Sequence, residues 1–448
     1  MEARVEVVRR LARRGASGAL RRTLEKSRSV DIAAAIAHLA PAEQRRVLGS
    51  IDQDEVAADV LARVDEEDLN HLVEGMDFGR LVRLLDAMDV DDEADVIDRL
   101  PEELHDRILA AIQDRDKVLV EDILAYPDDS AGGIMQPLAF RLNDNLTCRD
   151  AISALHEQHD ELETVFYLYV ENDAGQLVGV ISLRALLTNP PSTPLKEIMT
   201  TDIIAVAPNE DQEEVARLVS RYDLLAVPVV DDDRSLLGIV TVDDVVDVIK
   251  EEALEDMMLM AGVGDDPDPN AAGVFQAARQ RGTWLLVTLF GGIGMAELIG
   301  IFETALQQQA VLAGFIPVML GTGGNVGIQA ATVAVRNIAL GQHEGLSFGA
   351  TLWREARVGS LLGLGFAFAL GGYSLLRWMD EPLLGLAIAA SIIGTVVSAA
   401  ALGTAVPMTL NRLGVDPAVA TGPFVTTGID MIAILIYFGT CTAILGLG

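Results

Sequence analysis

From Trp284 onward the sequence holds five apolar stretches, at 284–302, 310–340, 357–377, 383–410 and 422–446. A helix needs roughly 20 apolar residues to cross the hydrocarbon of a bilayer, and each stretch meets or approaches that length. Lipid offers a backbone no hydrogen-bond partners, so such segments have few outcomes other than helices packed together. Residues 283–448 are therefore expected to form a transmembrane domain of five helices. The second and fourth stretches carry glycine and proline inside them, and breaks are expected there. GSLLG at 359–363 places two glycines at the spacing of close helix contact, a spacing that chance also supplies in a Gly-rich segment.

Charge is segregated from this apolar half. The 448 residues carry a net charge of -34, yet from Thr283 to the end there are five basic and eight acidic residues, a net of -3. The first 282 residues therefore carry -31. A half that acidic repels phosphate, which argues against nucleic acid and points to cations as partners. Adaptation to high salt would also acidify a surface. Two cysteines, Cys148 and Cys441, are too few for a disulfide framework or a thiolate metal site. The N-terminus, MEARVEVVRRLARRG, lacks the apolar run of a signal peptide, so the first half is expected to stay in the cytoplasm. Arg279, Arg281, Arg336, Arg354, Arg357 and Arg412 then flank the inner ends of the spans, with Arg377 at an outer end. An odd number of spans puts the C-terminus outside.

Four segments precede the spans. Residues 1–130 read as short amphipathic helices with Asp-rich N-capping turns, an acidic α-helical superhelix. An internal repeat follows at 131–197 and 198–253, where LVGVISLRALL (177–187) answers LLGIVTVDDVV (236–246) and TVFYLYV (164–170) answers AVPVV (226–230). Each copy alternates helix and strand, an α/β arrangement. The pair resembles tandem CBS domains, regulatory modules that bind adenine nucleotides such as ATP, or ions. In that family a Ser/Thr-x-x-Asp step after the second strand commonly meets the nucleotide. The second copy has it in Thr241 and Asp244; the first departs from it, with Ser182 but Ala185. A plain helix cap explains Thr241 and Asp244 equally well. Residues 254–282 form a connecting helical segment whose DDPDPN turn cannot continue a helix.

Within the last span, TTGIDMIAILIYF contains a single acid, Asp430. A carboxylate at membrane depth costs roughly 2.5–3.5 kcal/mol on insertion scales and marks a pathway or a paired site. An ion pair with Arg336 is the alternative. Thr426 and Thr427 lie one turn earlier on the same side. The second span holds PVMLGTGGNVGIQ (317–329), with Gly321, Gly324, Asn325 and Gln329 as oxygen donors or close-approach points. One carboxylate, amides and carbonyls without His or Cys suit a hard cation that keeps its water, magnesium above all. No lysine follows Lys250, so a P-loop is absent. HEQH (156–159) is not a metalloprotease motif, and no spacing argues for an enzyme.

The order of segments, together with AGGIM (131–135), GTGGNVGIQAAT (321–332), LGVDPA (413–418) and the acid in the last span, resembles the MgtE family of magnesium channels. The resemblance covers nearly the whole chain. It implies a homodimer in the inner membrane whose pore lies between subunits. Asp430 then meets a hydrated magnesium ion, with Asn325 and glycine carbonyls contributing. It also implies regulatory magnesium at Asp59, Asp91, Asp95, Asp223, Asp244, Asp247, Glu252, Glu255 and Asp256, with the connecting segment acting as a plug helix. Ile328, where relatives often have a polar residue, and Glu297, inside the first span, depart from the family pattern. Repulsion among crowded carboxylates predicts that bound magnesium compacts the soluble half and closes the pore. Readings as a channel or exchanger for cobalt, manganese or calcium, or as a nucleotide-sensing membrane regulator without transport, stay open at this point.

Overall fold

The structure, a computed structural model, describes residues 2–14, 17–112, 114–157, 165–263, 274–339, 347–418 and 422–447. The chain divides into two compact units, Met1–Ile249 and Lys250–Gly448.

The first unit opens with ten short helices: α1 (Glu2–Arg14), α2 (Ser17–Leu24), α3 (Ser29–Ile36), α4 (Pro41–Leu48), α5 (Asp54–Ala62), α6 (Glu66–Val73), α7 (Phe78–Leu85), α8 (Val90–Asp98), α9 (Glu102–Leu109) and α10 (Asp114–Ile123). Acidic turns start several of them as expected: the Asp65 side chain accepts from the Asp68 N–H at 2.8 Å, and Asp77 from that of Arg80 at 3.2 Å. Apolar residues three and four apart, such as Leu81, Leu84 and Leu85 on α7, form one continuous core from Val8 to Ile123. The helices thus stack as an α-helical superhelix.

The internal repeat becomes two small sheets. In the first, β1 (Arg141–Asn143) pairs parallel with β2 (Tyr167–Glu171), which pairs antiparallel with β3 (Leu177–Ser182). In the second, β4 (Ala226–Val230) pairs antiparallel with β5 (Leu236–Thr241), and a parallel bridge from Val206 to Val229 takes the place of β1. Both hairpins carry a bulge one residue from the end of their first strand, at Val170/Glu171 and Val229/Val230. The glycine of each second strand, Gly179 and Gly238, allows close approach: a Cβ would lie under 3.0 Å from Met199 in one copy and strike the Gln136 carbonyl in the other. Helices α11 (Cys148–Glu157), α12 (Leu183–Thr188), α13 (Leu195–Ile198) and α14 (Gln212–Tyr222) complete the modules. His156 lies in the last turn of α11, and the second half of HEQH lies outside the described residues. Helix α15 (Val242–Met260) begins in the first unit and ends in the second. The DDPDPN turn also lies outside the described residues.

The second unit contains five helices long and apolar enough to cross a membrane. They are α16 (Val274–Ile301), α18 (Leu312–Ala339), α19 (Phe348–Arg377), α20 (Pro382–Arg412) and α21 (Pro423–Leu445), with a short α17 (Glu303–Gln308) after the first. The expected breaks do not occur. Helix α18 runs unbroken through Pro317 and the glycine run, and α20 through Pro407. Several of the glycines serve packing instead. Gly323 faces Thr395, Ile429 and Ala433, and a Cβ on Gly403 would strike the Gly327 carbonyl. GSLLG belongs to a longer stripe: Gly359, Gly363, Ala367 and Gly371 are buried at four-residue spacing on α19. At Gly359 a Cβ would stand 3.0 Å from Ala400 of α20, the close approach that small residues permit where lipid gives no hydrophobic drive. Trp353 and Tyr373, both exposed on α19, stand about 30 Å apart along the axis, the thickness of a hydrocarbon core.

Candidate ion pathway and acidic cluster

Asp430 lies on α21, two turns from the helix start and inside its apolar span. It is half-buried, and its Oδ1 is shut off from solvent with no hydrogen-bond partner among the described residues. A Cβ on Gly324 of α18 would sit 3.6 Å from that oxygen. The glycine therefore leaves the carboxylate a clear approach to the helix. Arg336 does not neutralise it: twelve residues beyond Gly324, it lies about 18 Å further along α18. A buried carboxylate oxygen left unpaired costs several kcal/mol unless a cation or water visits it.

Structure divides the other expected pathway residues. Gly321, Asn325 and Gln329 share one face of α18 and are exposed on the single chain, whereas Gly323, Val326 and Gly327 are buried against α20 and α21. Thr426 is half-buried, and its hydroxyl donates to the Gly422 carbonyl at 3.3 Å. The Thr427 methyl packs on Gly291 of α16. Ile328 is 41% exposed on the same open face as Asn325, and Glu297 is exposed on α16.

The acids of the first unit meet where α8 faces the start of α15. Asp91 is held well above the ordinary carboxylate range by burial first, then by Asp244, Asp92 and Asp89. Asp95 keeps an exposed edge. Desolvation, opposed by Arg99 and reinforced by Asp92, Asp128 and Asp244, pushes it up to about 7. Asp244 rises to about 6 through burial, with Asp243 and Asp92 adding to it. The single Thr241 hydroxyl lies 2.5 Å from Asp243 Oδ1 and 2.6 Å from Asp244 Oδ2, so one proton serves two carboxylates. Asp59 already holds partners, accepting from Arg63 Nε at 2.6 Å and from the Ser29 hydroxyl. Asp223 is exposed in a left-handed conformation at the end of α14, which Asp tolerates. Asp247 and Glu255 are exposed and Glu252 is half-buried.

In the second unit, Asp256 is pushed up to about 6 by burial, then by Asp416 and Glu252. Asp416, in the LGVDPA run, was not among the expected ligands. Asp92 and Asp128 were also missed, although Asp92 stands between two residues of the expected set. Among the described residues, no three acidic, histidine or cysteine side chains converge closely enough to form a metal cage.

The Thr241–Asp244 step, expected as a nucleotide contact, does not line the cleft of the paired modules. That cleft, about 250 Å³, is lined instead by Tyr167, Tyr169, Ser182, Ala185, Thr200, Asp202 and Pro228. The Ser182 hydroxyl caps α12 by accepting from the Ala185 N–H at 3.1 Å. The Tyr169 hydroxyl is buried there without a partner among the described residues. A larger cavity, about 530 Å³, opens beside Val73, Phe78 and Leu104 in the helical domain and contains none of the expected residues.

Three family models match the chain: a divalent cation transporter domain at 316–440, an MgtE intracellular N domain at 27–129 and a CBS domain at 195–251. The magnesium transporter MgtE of Bacillus subtilis is 33% identical over 433 residues, covering 97% of this chain and 95% of its own length. That of Thermus thermophilus is 34% identical, with 96% of each chain covered. The chain belongs to the MgtE family of magnesium transporters. A solved cytosolic domain of the Mg2+ channel MgtE, in complex with ATP, superposes with a TM-score of 0.52 at 33% identity, over 55% of this chain and 99% of the other. Asp430, Gly324 and Asn325 fall inside the MgtE transporter match, and Asp59, Asp91 and Asp95 inside the MgtE N-domain match.

Proposed function

We propose that this chain is a magnesium-selective channel of the plasma membrane. In this reading the soluble half is cytoplasmic, the C-terminus lies outside, and the pore closes when cytoplasmic magnesium binds the acidic soluble half. The reading rests above all on Asp430, a carboxylate at membrane depth with a buried, unpartnered oxygen opposite a glycine. A lone carboxylate attracts a divalent ion without holding it, as conduction requires. Magnesium keeps most of its water, so one anionic group and neutral oxygens suffice. No bond is made or broken, and the reading contains no enzymatic step.

The open face of α18 supports a homodimer. Gly321, Asn325, Gln329 and Thr332 are exposed at membrane depth on the single chain, and amides facing lipid are unfavourable. A second copy over this face would enclose a polar path. For regulation, Asp244 and Asp92 repel both Asp91 and Asp95 in the compact arrangement, and Asp256 repels Asp416. A cation that neutralises them favours compaction, because it binds that state better than the separated one. With no three-acid cage among the described residues, hydrated magnesium bridging pairs of carboxylates fits the donor set. The cleft beside Tyr169 and Ser182 is the place for an adenine nucleotide; the ATP complex of the related cytosolic domain supports this.

Purified protein in vesicles loaded with a magnesium-sensitive dye tests the reading. Magnesium entry that D430A abolishes supports it. Equal calcium entry would move the reading to a general divalent channel, and absence of any flux would leave a non-transporting regulator.

A further inference from the structure

The first 28 residues reverse the charge of everything after them. They contain nine basic residues and three acidic ones, in a chain whose total is -34. Helix α1 buries Val8 and Ala12 in the core. On its opposite side Val7, Arg10 and Arg14 follow one another at three and four residues, all exposed. Arg13, Arg21, Arg22, Lys26 and Arg28 are exposed as well. Some of these charges are engaged within the domain: Arg21 pairs with Asp52, and Arg13 lies 3.8 Å from Glu43. Arg10, Arg14, Lys26 and Arg28 have no ion-pair partner among the described residues. In a soluble half with acids in such excess, four cations on one short segment without an acidic partner among the described residues are unexpected. The helix dipole favours Arg14, in the last turn of α1, but does not account for Arg10, which sits mid-helix.

We propose that α1 and α2 form a docking surface for anionic phospholipid headgroups of the leaflet that faces the soluble half. A basic, amphipathic N-terminal segment has the charge pattern that anionic membrane surfaces attract, at about fivefold in partition per basic residue near the surface. The occupant is lipid rather than a soluble anion because this domain is covalently joined to a membrane-spanning unit. Tethering raises the effective concentration of headgroups, so a surface too weak to bind lipid alone can act. The proposal rests on the soluble half lying beside a membrane but does not require that the chain conduct magnesium.

Full-length protein carrying a fluorescent donor at V7C is reconstituted into vesicles containing a headgroup-labelled acceptor lipid. Phosphatidylcholine vesicles are compared with vesicles containing phosphatidylglycerol. Energy transfer from outward-facing molecules should be higher in the anionic vesicles. It should fall to the neutral level in about 0.5 M salt, where the screening length is only a few ångströms. The quadruple variant R10Q/R14Q/K26Q/R28Q should lose the difference, and R10K/R14K/R28K should keep it; an unchanged melting temperature excludes unfolding. Transfer that ignores lipid charge, or survives the quadruple variant, overturns the proposal. Salt-sensitive transfer of equal size in neutral vesicles also overturns it, and assigns the basic surface to an acidic protein face instead. Loss of flux in D430A with this transfer intact would separate the proposal from the transport reading.

Discussion

The two units use carboxylates in opposite ways. In the membrane unit one acid, Asp430, stands alone among apolar side chains with a glycine before it. In the soluble unit Asp91, Asp92, Asp95 and Asp244 crowd together, and each is raised by burial and by its neighbours. A lone charge in a poorly screened place attracts an ion strongly enough to admit it and weakly enough to release it. A crowd of like charges stores repulsion that only a cation or a proton relieves. In the proposed reading, conduction and sensing thus use different numbers of the same group, placed in different dielectric surroundings.

Removing the lone charge should have the largest effect. D430N keeps the shape of the side chain and deletes its charge; magnesium flux in dye-loaded vesicles should fall at least about a hundredfold, since a charge-assisted contact at low dielectric is worth several kcal/mol. Retained flux with unchanged selectivity would end the claim that the two units divide labour as described. Next in size comes the crowd. Asn at Asp91, Asp95 and Asp244 together removes the repulsion, so the soluble half should be compact without magnesium. The magnesium dependence of closure should flatten by roughly tenfold or more, because three like charges are deleted at once. A closure curve identical to that of the parent protein would show that the cluster is only a solvated surface.

Protons should act on the crowd in the same direction as magnesium, with a smaller effect. In the compact state Asp95 titrates at about 7 and Asp244 at about 6, above the ordinary carboxylate value of 3.8. The compact state therefore binds more protons than the separated one. Its stability rises as pH falls through about 7, is complete below the ordinary value, and is lost as pH rises through 7. Closure should need at least about threefold less magnesium at pH 6 than at pH 8, a fraction of the tenfold that one full pK unit represents. More magnesium needed at the lower pH would contradict the sign.

The two regions were also unequally legible. Five spans, the helical domain and the paired modules follow from hydropathy and periodicity, which are local, and the repeat makes β2 the counterpart of β4 and β3 that of β5. Asp430 stood out in the sequence because a carboxylate within TTGIDMIAILIYF is costly at membrane depth and marks a pathway or a paired site. The continuity of α18 was not: glycine and proline signal breaks in water, but here Gly323, Gly327 and Gly403 answer the close approach of neighbouring helices, and only the packed unit shows that. Asp92, Asp128 and Asp416 escaped because nothing local separates an interfacial acid from the many solvated ones. Thr241 and Asp244 matched a nucleotide pattern, yet their surroundings are set by α8, more than a hundred residues away in sequence.

That last pair gives the smallest and most discriminating test. The Thr241 hydroxyl lowers the Asp244 pKa against the larger effect of burial. T241V deletes this hydrogen bond while keeping the branched shape that suits β5. Losing a hydrogen bond to a charged group is worth about 1.5–3 kcal/mol at most and less where water can replace it. The acid-driven closure curve should therefore move up by roughly half a pH unit, in line with about 1.4 kcal/mol per full unit. Nucleotide affinity should stay the same, because Thr241 is not among the residues lining the cleft beside Tyr169 and Ser182. An unmoved closure curve with weakened ATP binding would reverse the assignment, returning Thr241 and Asp244 to the nucleotide and leaving Asp91 and Asp95 without their partner across the interface.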